Sequence, residues 1–184
     1  MKSWAFAFLL ALACLPQRSW AGDLAAPTGP VVLTIAGAIE NANRGALDPV
    51  ADSFLNYHDL TFEGAAAFDL AMLEALGTAS ARIAWAGWPE PITFEGPRLV
   101  DLLAAVGWQG DSVTTVALDG FATEMSRETV LAKDWILAIR ANGQPLGVGQ
   151  RGPLWLVHAL PEDRPATEDE ELIWPWDVLF MRVD

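Results

Sequence analysis

Turn-forming residues cut this chain into short pieces. The 184 residues include 15 Gly and 12 Pro, and breaks fall at Gly77, at Gly87-Trp88-Pro89-Glu90-Pro91, at Gly107, at Asp119-Gly120 and at Asn142-Gly143. No βαβ alternation and no internal repeat accompanies them, which sets aside parallel α/β folds and solenoids. Residues 31–39 are apolar at nearly every position and read as a strand covered on both faces. Further strands are expected at 58–62, 82–85, 92–94, 112–118, 121–125, 135–141, 145–148, 154–158 and 176–183. One helix is expected over 68–76, with Leu70, Leu73 and Leu76 on one face and a Gly77 cap. Another opens at Pro97, with Leu99, Leu102, Leu103 and Val106 as its buried stripe and Gly107 at its end. Asn142-Gly143 is the strongest hairpin signal. Residues 22–30 read as an extended lead-in and 161–171 as a solvated acidic loop. The fold class is therefore α+β, mostly β with a few short helices, as one domain over residues 22–184.

The first 21 residues stand apart. Lys2 precedes an apolar run at 4–15, and Pro16-Gln17-Arg18-Ser19-Trp20-Ala21 follows, with small residues at the last and third-last positions. This is the three-part pattern of a secretory signal peptide, residues 1–21, cleaved after Ala21, and the run is too short to span a bilayer. Lipid attachment at Cys14 and an uncleaved anchor are the competing readings; Ala11-Leu12-Ala13-Cys14 puts a bulky Leu where a lipidation signal carries a small residue. No later stretch approaches 18 uninterrupted apolar residues, so a periplasmic protein without membrane insertion is expected. Cys14 is the only cysteine, and its removal leaves no thiol to serve as nucleophile, disulfide partner or metal ligand. Cleavage also takes the basic count from 11 to 9 against 24 acidic groups, a net charge of −15 compared with −13 for the whole chain. Such a charge repels nucleic acid and anionic lipid, so neither is expected as a partner.

Hydrolytic chemistry finds no footing. There is no Gly-x-Ser-x-Gly, and Ser126 has no elbow around it. His58 and His158, with no His-x-x-x-His or Cys partner, read as structural imidazoles in preference to metal ligands. The acidic stretch near Glu168 lacks the alternating spacing and glycine of a calcium loop. No catalytic residue and no metal ligand is assigned. Tryptophan says more, because seven of the nine lie beyond residue 21. Trp135 and Trp155 fall at core phase in strands, whereas Trp88 and the pair in Trp174-Pro175-Trp176 occupy loop-like segments where no periodicity places a large ring. These read either as a platform for a flat ligand or as loops packed over the core.

Five blocks in order carry a family resemblance: TFEGPRLVDLL at 93–103, ALDGFATEM at 117–125, NGQPL at 142–146, GPLWLV at 152–157, and Trp174-Pro175-Trp176 with Arg182-Val183. Together they resemble the molybdopterin-binding domain of the sulfite oxidase family, and most of all its small exported single-domain members, over roughly four-fifths of the chain. The resemblance implies that fold. It also implies a metal-binding cysteine upstream of Phe94-Glu95-Gly96, where this chain reads Arg82-Ile83-Ala84-Trp85-Ala86-Gly87-Trp88, and a tyrosine near the metal, where it has Phe121. Basic residues to hold a cofactor phosphate and an oxyanion substrate are sparse, Arg151 beside Gly152-Pro153 being the best placed.

This chain is also similar to small exported proteins of that fold that bind free pterins and regulate a membrane-bound cyclic-di-GMP enzyme through its periplasmic domain. The resemblance thus implies a non-catalytic pterin-binding protein that signals through a periplasmic or membrane sensor. Its site would lie where Trp88, Asp119-Gly120-Phe121, Arg151-Gly152, Trp174 and Trp176 converge. There Trp88 or Trp174 would stack on the ligand, Asp119 would accept from the pterin edge and Arg151 would donate to its carbonyl. Asp119-Gly120 reads equally as a simple turn, and Arg151 as a surface charge. Molybdopterin is the alternative cofactor, in an oxidoreductase with a non-cysteine metal ligand. An interaction domain that has lost the pocket is the third reading.

Overall fold

The computed structural model describes residues 24–161 and 164–184, so the signal-like segment at 1–21, with Cys14, lies outside the described residues. The elements follow as β1 (Val31–Gly37), β2 (Arg44–Gly45), α1 (Ser53–Tyr57), β3 (Gly64–Asp69), α2 (Leu70–Ala75), β4 (Ala79–Ile83), β5 (Ile92–Gly96), α3 (Leu99–Ala105), β6 (Ser112–Ala117), β7 (Ala122–Ser126), α4 (Arg127–Ala132), β8 (Trp135–Ala138), β9 (Arg140–Ala141), β10 (Gln144–Pro145), β11 (Trp155–His158), α5 (Glu168–Leu172) and β12 (Val178–Val183). The fold is the α+β, mostly β arrangement the sequence implies. A six-stranded sheet has the order β2-β3-β1-β12-β6-β7, beside a four-stranded sheet β10-β9-β5-β4 and the pair β11-β8. In the large sheet only β1 and β12 run parallel, with Thr34 opposite Phe180.

That central pair depends on close backbone approach. Gly37 has φ +98° and a Cβ there would overlap the carbonyl oxygen of Val183; Ala38 N–H donates to the same oxygen at 2.8 Å. On the other side of β12, the N–H groups of Asp111 and Ser112 donate to the Asp184 carbonyl at 2.6 and 3.0 Å. Around this centre Leu33, Ile35, Phe68, Leu102, Leu103, Val113, Met181 and Val183 join one buried apolar cluster. Each such side chain contributes about 1.5–3 kcal/mol by leaving water.

Local chemistry explains most boundaries. In α3 the residues Leu99, Leu102 and Leu103 are buried as the stripe requires, and Gly107 (φ +62°) stands just past the Val106 cap in the left-handed conformation typical of a helix end. Asn142 and Gly143, at φ +50° and +74°, turn β9 into β10. Three expectations are corrected and one helix, α4, is added. The strand placed at 58–62 is instead the end of α1 followed by a turn, with Asp59 at φ +55°, and the strand lies at Gly64–Asp69. Alanines 65 to 67 disguise it, because alanine is a weak strand former, yet they are buried in a strand flanked by β2 and β1. The helix α4 is capped by Ser126, whose hydroxyl accepts from Thr129 N–H. The acidic loop holds helix α5, closed by a capping box in which Thr167 and Glu170 satisfy each other's backbone. The last strand starts at Val178, since Asp177 turns the chain with φ +55°.

Candidate functional site

The β6–β7 hairpin and the segment joining α5 to β12 face each other across a cavity of about 200 Å³. The hairpin tip is tight: Gly120 sits at φ +85°, Gly120 N–H donates to Ala117 O at 3.0 Å, and Ala117 N–H donates to Phe121 O at 2.9 Å. Asp119 Oδ1 accepts from Phe121 N–H at 2.9 Å, so one carboxylate oxygen serves the turn. Opposite, α5 delivers Glu171 and Leu172 to the wall, followed by Trp174, Pro175 and Trp176. This segment is pinned from behind by β11, as Leu156 N–H donates to Pro175 O at 2.9 Å and Trp155 bridges to Trp176.

The anchorage of α5 explains the fixed position of that wall. Arg164 donates to both carboxylate oxygens of Glu170 at 2.7 Å, and Arg164 above all pulls the Glu170 carboxyl down to about 2. His158, buried at the end of β11, stands edge-on to Trp174 at 5.2 Å and to Trp135 at 4.9 Å. Burial above all holds its imidazole below the ordinary histidine range. The neutral ring donates through Nδ1 to Ala159 O at 3.2 Å and accepts from Lys133 Nζ at Nε2, 3.0 Å away. His158 is thus the satisfied structural imidazole the sequence suggested. His58 is satisfied less fully: it packs against Phe54, Tyr57 and Gly120, and its buried Nε2 has no hydrogen-bond partner.

Arg151 closes one flank of the cavity. Its guanidinium lies over the rings of Trp155 at 4.9 Å and Trp176 at 5.9 Å, and Nη1 is 3.6 Å from Glu171 Oε1. Arg151 has φ +62°, and its carbonyl accepts from the N–H of Asp177, the other residue here in the left-handed region, at 3.4 Å. Burial, and then the neighbouring Asp119 carboxylate, push the Asp177 carboxyl above the ordinary aspartate range. Six buried side-chain polar atoms among the described residues lack a hydrogen-bond partner, and four belong to this neighbourhood: Arg151 Nη1, Trp155 Nε1, Trp174 Nε1 and Asp177 Oδ1. Buried polar groups are nearly always paired, and an unpaired one costs about 1–3 kcal/mol. This neighbourhood therefore holds more unpaired buried polar atoms than the rest of the described residues together.

Of the residues nominated from sequence, Asp119, Phe121, Trp174 and Trp176 line this cavity, Gly120 shapes the hairpin tip, and Arg151 flanks it. Trp88 stands apart, packed against Trp85, Phe94 and Trp155 at 5.7–5.8 Å, and reaches the site only through Trp155. Gly152 is a packing glycine: a Cβ there would overlap the backbone of Leu146. Glu171, Leu172, Asp177 and the indole N–H of Trp155 were not foreseen. Position directly after Trp174-Pro175-Trp176 was the one sequence cue for Asp177.

The side chains bear on what the site can hold. Asp119 and Glu171 line it, Asp177 adjoins it, and its one flanking cation already faces Glu171. The described residues contain no cluster of three His, Cys, Asp or Glu fit to hold a metal ion. A molybdenum-bearing pterin brings a dithiolene and a phosphate, both anionic, into a cavity lined by two carboxylates, aromatic and aliphatic side chains and no cation, so these residues do not fit that group. A second hollow, lined by Arg82, Ala84, Pro91 and Arg164, shares no lining residue with the first, and its Arg164 is already bound to Glu170. A family model described as "Oxidoreductase molybdopterin binding domain" matches residues 65–159, just over half of the chain. No curated protein matches it.

Proposed function

We propose, from the premise that this chain belongs to the oxidoreductase molybdopterin-binding domain family, that it is a non-catalytic, exported binder of a neutral pterin that signals to a periplasmic or membrane sensor. The cavity beneath Trp174 and Trp176 carries this reading. Ligand pockets for drug-sized molecules run to about 300–1,000 Å³, so a space of about 200 Å³ suits one small flat bicycle. Aromatic side chains supply its faces, each ring contact contributing about 0.5–1.5 kcal/mol beyond burial. Asp119, exposed and on the cavity wall, suits the amide and amino edge of a pterin. A free pterin has no phosphate, which removes the conflict with the acidic wall.

Around the cavity mouth Phe121, Leu172 and Trp176 stand 48%, 65% and 41% exposed. An apolar rim of this kind suits a partner that senses whether the ligand is in place. Neither the ligand nor such a partner requires a reaction at the site.

Titration of the purified protein with neopterin tests the reading through tryptophan fluorescence. Saturable quenching at micromolar ligand is expected. No quenching at high micromolar concentration would remove the pterin and favour an interaction domain. Stoichiometric molybdenum in protein taken from its native compartment would establish the oxidoreductase alternative instead.

A further inference from the structure

The cavity between the β6–β7 hairpin and the α5–β12 segment is lined by two acidic side chains and, among the described residues, by no basic one. Asp119 is exposed at the hairpin tip, and Glu171, near the end of α5, keeps 22% of its side chain open to solvent. Both carboxylates thus line the cavity with surface to spare. Asp119 enters no ion pair among the described residues, its one hydrogen bond being that of Oδ1 to Phe121 N–H. The one cation at hand is Arg151, which flanks the cavity, lies over the rings of Trp155 and Trp176, and faces Glu171 Oε1 at 3.6 Å. Two carboxylates against one cation leave the cavity negative. Phe121 and Trp176, 48% and 41% exposed, add ring faces that attract an ammonium group and offer an anion nothing.

We infer that Asp119 and Glu171 form a charge filter that sets which pterins this cavity takes: those with a basic substituent on the ring bind best, those with a neutral one next, and those with a carboxylate or phosphate are turned away. The inference rests on the pterin reading and adds to it a preference for positive charge, located at two residues. Glu171 is the member that the sequence did not nominate. A unit charge beside partly exposed carboxylates is attracted or repelled at an effective dielectric near 20, which amounts to about 5- to 30-fold in affinity. The same filter separates free pterins from their phosphate esters and from pterins that carry an acidic tail.

Three ligands built on one bicycle test the filter by calorimetric titration: 6-aminomethylpterin, pterin and pterin-6-carboxylate, whose substituents are cationic, neutral and anionic in turn at neutral pH. The wild type is expected to bind them in that order, with about 5- to 30-fold between neighbours and smaller steps at high salt. Asp119→Asn keeps an oxygen for Phe121 N–H, and Glu171→Gln keeps the shape of its side chain. Glu168→Gln removes the same charge from α5 at a residue that does not line the cavity. Ratios between ligands are compared, so a loss common to all three does not count. Asp119→Asn and Glu171→Gln are each expected to bring the pterin-to-carboxylate ratio about 3- to 10-fold nearer to equality, and Glu168→Gln to move it by less than about twofold. Equal binding of the three ligands by the wild type, tighter binding of the carboxylate, or a shift in Glu168→Gln as large as in the cavity variants overturns the filter and leaves the pterin function standing. Failure of the wild type to bind any of the three overturns both.

Discussion

The two ends of β12 were built under opposite rules. At Val183 and Asp184 every carbonyl is claimed, by Ala38, Asp111 and Ser112, and Gly37 is there because no side chain fits. At Trp174 to Asp177 the chain bends through a left-handed aspartate, sets an acidic group near Asp119 and leaves one donor and one acceptor unpaired. One end of the strand is optimised for the fold alone. The other carries unpaired polar groups and positive-φ backbone, the kind of local cost that binding and catalytic sites commonly carry.

The contrast fails if either end behaves like the other. The largest effect is expected from Gly37→Ala, which would press a Cβ into the Val183 carbonyl at a φ that L residues avoid. A loss of about 3 kcal/mol or more is expected in urea unfolding, or failure to fold; a change under 1 kcal/mol would show that the centre of the sheet yields. At the other end, Trp174→Phe keeps most of the ring packing and deletes an unpaired N–H. Stability of the free protein should move by less than about 1.5 kcal/mol, because lost packing and a removed orphan oppose each other. Pterin affinity should fall about tenfold, so calorimetric titration and thermal unfolding of the same variant separate the two roles.

Acidity offers the finest test. Glu170 has its carboxyl lowered to about 2, so its contribution is full above its ordinary 4.5 and is lost as pH falls toward 2. Asp177 has its carboxyl raised, so its contribution is present below the ordinary 3.8 and is lost as pH rises through the raised value. Urea midpoints between pH 2 and 7 should therefore show Glu170→Gln destabilised near neutrality and converging on wild type in acid. Asp177→Asn should be slightly more stable than wild type near neutrality and lose that advantage in acid.

The parts legible in the sequence are those set by a periodic or positional rule. The stripe of α3, the alternation of the β6–β7 hairpin and the Asn142-Gly143 turn each follow from local chemistry. What escaped were elements whose residues serve a neighbour: the alanine strand β3, whose side chains are small because it is buried, and α5, whose charges masked the Thr167–Glu170 cap. Trp174 and Trp176 were legible as rings without a periodic reason. Asp177 was not, because its importance lies in burial and in a nearby Asp119 58 residues earlier.

The parallel pairing of Thr34 with Phe180 joins strands separated by nearly the length of the described chain. Its centre therefore forms only after a large loop has closed, which places this fold among slow, non-local folders. The segment Trp174 to Asp177 is held on one side by β11 and leads on the other into β12, so the cavity wall is complete only when both are in place. A ligand that bound only the assembled cavity would stabilise the folded state by mass action, and its effect would appear in unfolding as a rise of the midpoint with ligand concentration.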